Sequence, residues 1–295
     1  MRLWATLVCT VALLALASAS GQPSALRFPG TVEAGIAFSV LSTGSGPATL
    51  YVVGPGTAIR RQFQFGETLT FGSDDLHNAG HYVVFLLGAS STENQQFENQ
   101  HFDVEPSRSF SNLSFLAKPS RLAVNATHGI TGVVYLFDVF HNLVLQPQPV
   151  LFELLGSAGQ TQTVPATTSN GVAWVRMNSA AKAGSAQFQA SVGRVREKRV
   201  IQQVPGDPCA LQMNARGTGK RVTLETEPVR DCNGNPVPDG TIVTFTESFG
   251  GGQSTVDVPL KRGIARTEMP ASAGAVISVA AGVIMGNEIH WTARP

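Results

Sequence analysis

The chain has 295 residues, a formal net charge of +1 and only 14% charged residues. This balance argues against a nucleic-acid or polyanion partner, because such binding relies on a concentration of positive charge. The sequence contains 30 glycines and 17 prolines, together with many Val, Thr, Phe and Ser residues. That composition favours short β-strands joined by frequent turns.

The first twenty residues have the pattern of a secretory signal peptide. Arg2 supplies a positive charge, an apolar run of about 15 residues occupies positions 3–17, and small residues at 17–19 offer a cleavage site. The run is shorter than the roughly 20 residues that span a bilayer, although an uncleaved anchor is the alternative. Cys9 lies inside the apolar run, which disfavours a lipoprotein signal. We therefore expect a secreted, extracellular or periplasmic protein whose mature chain contains no membrane span.

A repeat of about 90 residues organises the remaining chain. Four residues recur 93 positions later: Asp138, Asn142, Val144 and Phe152 are answered by Asp231, Asn235, Val237 and Phe245. A repeat of this length matches one small domain rather than a solenoid unit. We place the domain boundaries at proline-containing segments, and the sequence then predicts domains at 22–105, 106–204 and 205–295.

The first block, 22–105, does not share the repeated residues of the other two blocks, but it has the same pattern of short strands and turns. Its predicted strands are 36–41, 48–53, 60–65, 68–71 and 82–87. Tyr82, preceded by Leu76 and Gly80, has the spacing of a corner at which a tyrosine hydroxyl bonds to the upstream backbone. An ordinary aromatic core position is the alternative interpretation of Tyr82.

The second and third blocks each contain seven predicted strands. Those of the second block are 113–117, 131–137, 150–155, 160–165, 171–177, 186–192 and 197–204. Those of the third block are 210–215, 221–227, 241–248, 254–260, 264–269, 276–281 and 288–292. Apolar and polar residues alternate along them, as in Val222 and Leu224 against Thr223 and Glu225. Seven short strands at this spacing predict a sandwich of two sheets.

Two cysteines, Cys209 and Cys232, remain after the signal peptide. In an oxidising compartment such a pair tends to form a disulfide. Closing a loop of about 24 residues stabilises the fold by roughly 3 kcal/mol in the chain-entropy picture. Two buried free thiols are the alternative.

A motif in the third block resembles the bacterial Ig-like domains of the invasin and intimin type. It reads Asp231-Cys232-Asn233-Gly234-Asn235-Pro236-Val237-Pro238-Asp239-Gly240-Thr241, followed by Val243-Thr244-Phe245. Its later part is Gly263-Ile264-Ala265, then Ala273-Gly274, then Ala280-Ala281-Gly282. The second block resembles the family less closely, because His141 replaces the turn glycine and Leu143 replaces the proline. The first block resembles only a generic Ig-like sandwich.

The resemblance implies an all-β protein of three tandem Ig-like β-sandwich domains, located outside the cell or in its envelope. It implies a role in adhesion or in holding other domains apart. We expect a non-enzymatic protein for binding, adhesion or domain presentation, whose partner is an unknown protein or glycan at the cell surface. A purely structural spacer and an accessory module of a secreted hydrolase are the alternatives.

Two polar clusters are candidates for metal binding, and for each a simpler interpretation is preferred. Asp231, Asn233, Asn235 and Asp239 occupy loop positions 1, 3, 5 and 9 of a calcium-loop pattern. The pattern then fails, since proline stands at position 6 and isoleucine at position 12, where glycine and glutamate are required. We therefore interpret these residues as turn formers.

The second cluster comprises Asp74, Asp75, His77 and His81, the densest set of possible zinc ligands. It leads directly into a predicted strand, so a solvated corner loop is the preferred interpretation. No nucleophile elbow or phosphate-binding loop occurs in the sequence. The sequence therefore predicts no catalytic residue, metal or cofactor.

A basic row is formed by Arg194, Arg196 and Lys198, with Arg199 beside it. Contact with an anionic polymer is one interpretation. Protection of a sheet edge against pairing with another chain is the preferred one.

Overall fold

The computed structural model describes residues 25–88, 98–218 and 220–292. The predicted signal peptide lies outside these residues. The chain divides into two compact units, Met1–Ser107 and Arg108–Pro295. In the described residues all regular structure is β, and no helix there is long and apolar enough to cross a membrane.

The first unit is a sandwich of two sheets. Its strands are β1 (Ala25–Leu26), β2 (Thr31–Glu33), β3 (Phe38–Thr43), β4 (Pro47–Gly54), β5 (Thr57–Gln64), β6 (Thr68–Phe71), β7 (Gly80–Gly88) and β8 (Glu98–Glu105). A five-stranded sheet has the order β2-β8-β7-β4-β5, and a three-stranded sheet has the order β1-β3-β6. Large aromatic side chains, among them Phe71 and Phe102, are fully buried between them.

Tyr82 forms the predicted corner. Its ring is completely buried, and its hydroxyl donates a 2.9 Å hydrogen bond to the carbonyl of Asn78, four residues upstream. Burial raises the pKa of the Tyr82 phenol, which therefore remains a hydrogen-bond donor at neutral pH. The ring lies directly over the backbone of Gly54, where no side chain fits.

The second unit begins with a sandwich whose strands follow the predicted pattern. They are β9 (Asn112–Lys118), β10 (Arg121–Ala123), β11 (Ile130–Phe137), β12 (Pro149–Leu155), β13 (Thr161–Thr167), β14 (Val172–Met177), β15 (Gly184–Val192) and β16 (Val195–Val204). The sheets have the orders β10-β16-β15-β12-β13 and β14-β11-β9. One apolar core, centred on Phe115, Phe152 and Phe188, fills the space between them.

The third sandwich of the chain lies in the same unit and repeats the plan of this second sandwich. Its strands are β17 (Pro208–Ala210), β18 (Met213–Arg216), β19 (Arg221–Thr226), β20 (Arg230–Asp231), β21 (Ile242–Phe249), β22 (Gly252–Pro259), β23 (Arg266–Pro270), β24 (Val276–Ala281) and β25 (Ile284–His290). The sheets are β22-β21-β24-β25, β18-β19-β23 and the short pair β17-β20. Phe245, Leu224 and Trp291 belong to its separate core.

The predicted all-β class is confirmed, and most predicted strands agree with the observed ones within a few residues. The sequence analysis missed the short strands β1, β2, β10 and β20, and also β8, and it merged β17 and β18 into one strand. Strand β8 alternates charged and amide side chains with only two large apolar residues, Phe102 and Val104. Strand β2 pairs with β8 in parallel, a contact that no local pattern reveals.

We expect Gly54→Ala to destabilise the first sandwich by about 1–3 kcal/mol, because the added methyl group overlaps the buried Tyr82 ring. Hydrogen exchange of the β4 and β7 amides measures the effect. Gly30→Ala is the matched control, since a Cβ at Gly30 meets no atom within 4 Å. Equal exchange in the two variants would contradict the assigned packing.

Candidate functional site: the joint between the last two sandwiches

Residues 231–235 form a turn organised by one buried carboxylate. Oδ1 of Asp231 accepts hydrogen bonds from the backbone N–H groups of Asn233 and Asn235, at 2.9 and 2.8 Å. Oδ2 accepts from the N–H of Gly206 at 3.0 Å and from the side-chain amide of Asn235 at 2.9 Å. The carboxylate therefore ties the turn to the connector that leads into the domain.

The second sandwich contains the same turn. Oδ1 of Asp138 accepts from the N–H groups of Phe140 and Asn142, at 2.9 and 2.8 Å, and Oδ2 accepts from the Asn142 side chain at 2.9 Å. His141 takes φ 67° where the third sandwich has Gly234 at φ 75°. The left-handed turn is thus retained even though the glycine that favours it is replaced.

The side chain of Asn235 links the turn to the preceding sandwich by two hydrogen bonds. Its side-chain Nδ2 donates to the carbonyl of Ala181 at 2.8 Å, and its Oδ1 accepts from the N–H of Ala183 at 3.0 Å. The amide therefore pairs with the loop before β15 much as a backbone peptide would. Asn235 is only 4% exposed, so its side-chain amide is buried, whereas its partners Ala183 and Ala181 are half-buried and exposed, respectively.

Further polar contacts border this pair. Nζ of Lys182 donates to the carbonyl of Asn233 at 3.2 Å, and the side chains of Asn125 and Asn233 are joined by a short hydrogen bond. These contacts lie closer to solvent than the Asn235 pair. Together with Asn235 they form a joint, which we define as the turn 231–235 docked on the loop 181–183 and on Asn125.

The loop on the second sandwich is held in place from behind. The N–H of Ala180 donates to Oε1 of the buried Gln203 at 2.6 Å, and the N–H of Asn125 donates to the carbonyl of Ala180 at 3.1 Å. Ser179, also buried, donates to Ala123 and accepts from Ala126. The acceptor loop is therefore set in place by its own domain, independently of the contact with Asn235.

The predicted disulfide joins Cys209 to Cys232, with their Cα atoms 4.7 Å apart. Strand β17 pairs with β20 at the same place, with Pro208 opposite Asp231. The cross-link therefore ties the start of the third sandwich to the turn that makes the joint.

The charge of Asp231 is stabilised within this turn. Desolvation by burial raises the pKa of the carboxyl, but the hydrogen bonds from Asn235, Gly206 and Asn233 outweigh it, and the pKa is lowered overall. Asp239, assigned to the same calcium pattern, instead accepts from the N–H of Gly263 at 3.0 Å. The side-chain oxygens of the calcium pattern thus accept hydrogen bonds from different backbone and side-chain N–H groups of the protein.

In the structure, three of the four residues of the second candidate metal site have separate contacts. Asp75 is paired with Arg61 at 2.6 Å, His77 contacts the carbonyl of Ser73 at 2.9 Å, and His81 lies on β7 beside Asp103 at 3.0 Å. Asp74 is an exposed residue of the turn before them. Within 25–88, 98–218 and 220–292, no three His, Cys, Asp or Glu side chains are grouped to hold a metal ion.

The basic row lies at the start of β16. There Arg199 pairs with Glu197 at 2.9 Å, and Glu197 also accepts from the N–H of Phe115 in the opposite sheet at 3.0 Å. The guanidinium of Arg199 lies 5.9 Å from the centre of the Phe115 ring. Strand β10 pairs with residues 202–204 of β16 and does not reach the row, so the row lies at a sheet edge, which favours edge protection over a polymer-binding role.

Sequence comparison finds no matching family model and no matching characterised protein. Among solved structures, invasin, a bacterial integrin-binding protein, aligns over 89% of this chain and 57% of its own, with 13% identity and a TM-score of 0.50. The chicken CNTN1 FN1-FN3 domains align over 93% of this chain and 100% of theirs, with 10% identity and a TM-score of 0.36. A tetra-tandem repeat from the extending region of a large adhesion protein aligns over 88% and 70%, with 10% identity and a TM-score of 0.34.

At these identities the comparisons concern the fold. The chain has a tandem Ig-like β-sandwich fold similar to that of invasin, as the sequence motif predicted, and it spans a little over half of the invasin structure. The interdomain role of Asn235 was not predicted. The repeated asparagines, Asn142 and Asn235, were the available signal, but the loop that receives Asn235 belongs to the other repeat and shares no local pattern with it.

We expect Asn235→Ala to loosen the joint while leaving both sandwiches folded. The carbonyl of Ala181 and the N–H of Ala183 lose their buried partner, at a cost of about 2–4 kcal/mol. Distances between spin labels on β13 and β22 should broaden, and exchange at Ala183 should accelerate. Asn214→Ala, on the exposed face of β18, is the control and should change neither measurement.

A second prediction concerns acid. Because the pKa of Asp231 is lowered in the folded state, its stabilising effect is complete above about pH 4, the usual range for an unfolded aspartate. It is lost as the pH falls through the folded-state pKa. Urea unfolding followed through Trp291, in a Trp174→Phe background, should show this acid loss. Asp231→Asn should be less stable at pH 7 and should show a shallower acid dependence, whereas an unchanged slope would refute the assignment.

Proposed function

We propose that the chain is an exported, non-enzymatic tandem of Ig-like modules that binds a partner or presents other domains in the cell envelope or outside the cell. We further propose that its joint fixes the spacing of its last two modules. The observation that carries this proposal is the buried hydrogen-bonded contact between Asn235 and the loop 181–183. Adjacent domains joined only by a linker move freely by default. A contact of this kind is needed where the direction of one module relative to the next matters.

The connector between the two modules supports the same proposal. Strand β16 ends at Val204 and β17 begins at Pro208, which leaves three residues, Pro205, Gly206 and Asp207, between the sandwiches. Gly206 is itself bonded to Asp231. A short connector containing proline and held at its centre acts as a stiff spacer.

The disulfide supports export. Cys209 and Cys232 are joined, and structural disulfides persist mainly in oxidising compartments. An adhesion or presentation role outside the cytoplasm is consistent with that chemistry.

Polar side chains that line an open depression in the third sandwich are hydrogen-bonded to the backbone, which supports a non-enzymatic role. The depression of about 350 Å³ is lined by Arg230, Asp239 and Arg262, among other residues. Asp239 accepts a bond from the backbone of Gly263 there, and Arg230 donates to the carbonyl of Gly234 at 2.8 Å. Neither side chain is left in the arrangement of a general acid beside a base.

The joint supports the spacer alternative equally well, because a rigid joint serves spacing whether or not the chain has a ligand. A binding measurement distinguishes the proposed binding role from a pure spacer. The purified chain should be measured against an integrin ectodomain, matrix proteins and a glycan array, both as a monomer and coupled to beads. Saturable binding to one class supports adhesion or presentation, whereas uniform silence supports a pure spacer.

Asn235→Ala makes this test more specific. If the spacing of the modules serves attachment, the monomeric variant should bind the ligand with the wild-type affinity. Beads coupled to the variant should be retained less well on the ligand, because multivalent binding depends on geometry. Asn214→Ala should match the wild type in both formats. Turnover of esterase, glycosidase or peptidase substrates by the wild type, abolished by replacing Asp74 and His77, would instead establish the hydrolase alternative.

A further inference from the structure

The outer face of the sheet β14-β11-β9 carries an apolar row where a solvent-facing sheet normally carries polar residues. Val133 of β11 lies directly opposite Leu116 of β9 on one side and Trp174 of β14 on the other. Leu116 is 49% exposed and Trp174 is 62% exposed. We call these three side chains the apolar row.

The third sandwich provides an internal comparison, because its sheet β18-β19-β23 occupies the same place in the repeat. There Glu225 lies opposite Asn214 and Arg266, and Glu225 pairs with Arg266 at 3.5 Å. The matching row of the third sandwich is thus polar and joined by an ion pair. The fold does not require the apolar row of the second sandwich, and hydrophobic clusters that face water commonly mark binding sites.

Charge on the face is concentrated at one end. The neighbouring row, two residues along each strand, contains Lys118, Thr131 and Arg176. The guanidinium of Arg176 lies 6.0 Å from the centre of the Trp174 ring. The row on the other side contains Ser114, Tyr135 and Val172. The outward positions of β9, β11 and β14 include no acidic residue, so the face is apolar with a cationic border.

The chemistry of the face favours a peptide over a sugar. Leu116, Val133 and Val172 are aliphatic, and the hydroxyls of Ser114 and Thr131 offer few hydrogen bonds to a ligand rich in hydroxyl groups. Exposed Trp, Tyr and Arg side chains are the types that contribute most to protein interfaces.

The size of the face favours a short segment over a whole domain. Three strands about 4.8 Å apart and three rows about 7 Å apart cover on the order of 300 Å². That is well below the roughly 800 Å² per partner of a standard interface between two globular proteins. A second copy of the chain is therefore a poor occupant for this face alone.

We propose that this face binds an extended peptide segment that carries large apolar side chains followed by carboxylates. The apolar side chains pack on Leu116, Val133 and Trp174, and the carboxylates pair with Lys118 and Arg176. The proposal rests on the proposed binding role and identifies the module and the ligand chemistry that serve it.

The test is a displayed library of random dodecapeptides selected on the full-length protein. The enriched peptides are then measured, without counter-selection, against a variant that combines Leu116→Asn, Val133→Glu and Trp174→Arg. This variant reproduces the row that the equivalent sheet of the third sandwich carries. Far-ultraviolet dichroism together with hydrogen exchange of the β11 and β15 amides verifies that the second sandwich remains folded. We expect enrichment of apolar peptides with acidic ends, and an affinity loss of about 30-fold in the variant, the loss typical of removing a hot spot.

Charge reversal supplies the second arm. Arg176→Glu should weaken binding of the acidic peptides and favour counterparts in which lysine replaces each acidic residue. The proposal would be overturned if the selected peptides bound the wild type and the variants equally, or if they lacked acidic residues. It would also be overturned if glycans, and not peptides, bound the wild type and lost binding when the apolar row was replaced. If no peptide is enriched while the chain still binds matrix proteins or glycans, this proposal fails and the proposed function stands.

Discussion

The buried carboxylate of Asp231 is the constraint on which the joint depends. Four N–H groups converge on it, from Gly206, Asn233 and both the backbone and the side chain of Asn235. An unpaired charge in this position would be costly, so the turn, the connector and the asparagine must adopt the arrangement that satisfies it. Because the carboxylate occupies one N–H of the Asn235 amide, the remaining donor and the oxygen are aimed at the neighbouring sandwich. A local demand for hydrogen bonds thus produces a contact between two domains.

Much of this architecture follows from the sequence. Alternation and turn residues located most strands of the second and third blocks. The spacing of Tyr82 predicted a hydrogen bond to the upstream backbone, and the structure shows the carbonyl of Asn78 as its acceptor. Strand β8 was missed because its apolar positions are few, and β2 because its partner is β8. The turn at Asp231 was interpreted correctly as local chemistry. Its contact with Ala181 and Ala183 could not be predicted, because the order of domains in space is not encoded by any single repeat.

The comparison of the two repeats explains where function is free to differ. The turns at Asp138 and Asp231 have the same hydrogen bonds, since changing them would disturb the fold. The outer sheet faces have no such obligation, and one carries Trp174 where the other carries Arg266. The tandem therefore combines a turn that both repeats share with outer sheet faces that differ between them.

The Cys209–Cys232 bond has a mechanical consequence for a protein that is pulled along its length. The two cysteines are 23 positions apart, and an extended chain spans about 3.5 Å per residue. If force unravelled the third sandwich, the segment between the cysteines would be bypassed, and the tether would lengthen by about 80 Å less than the contour of that module allows. The second sandwich lacks a cysteine pair and would release its full length, so two modules of nearly the same fold would absorb load to different extents.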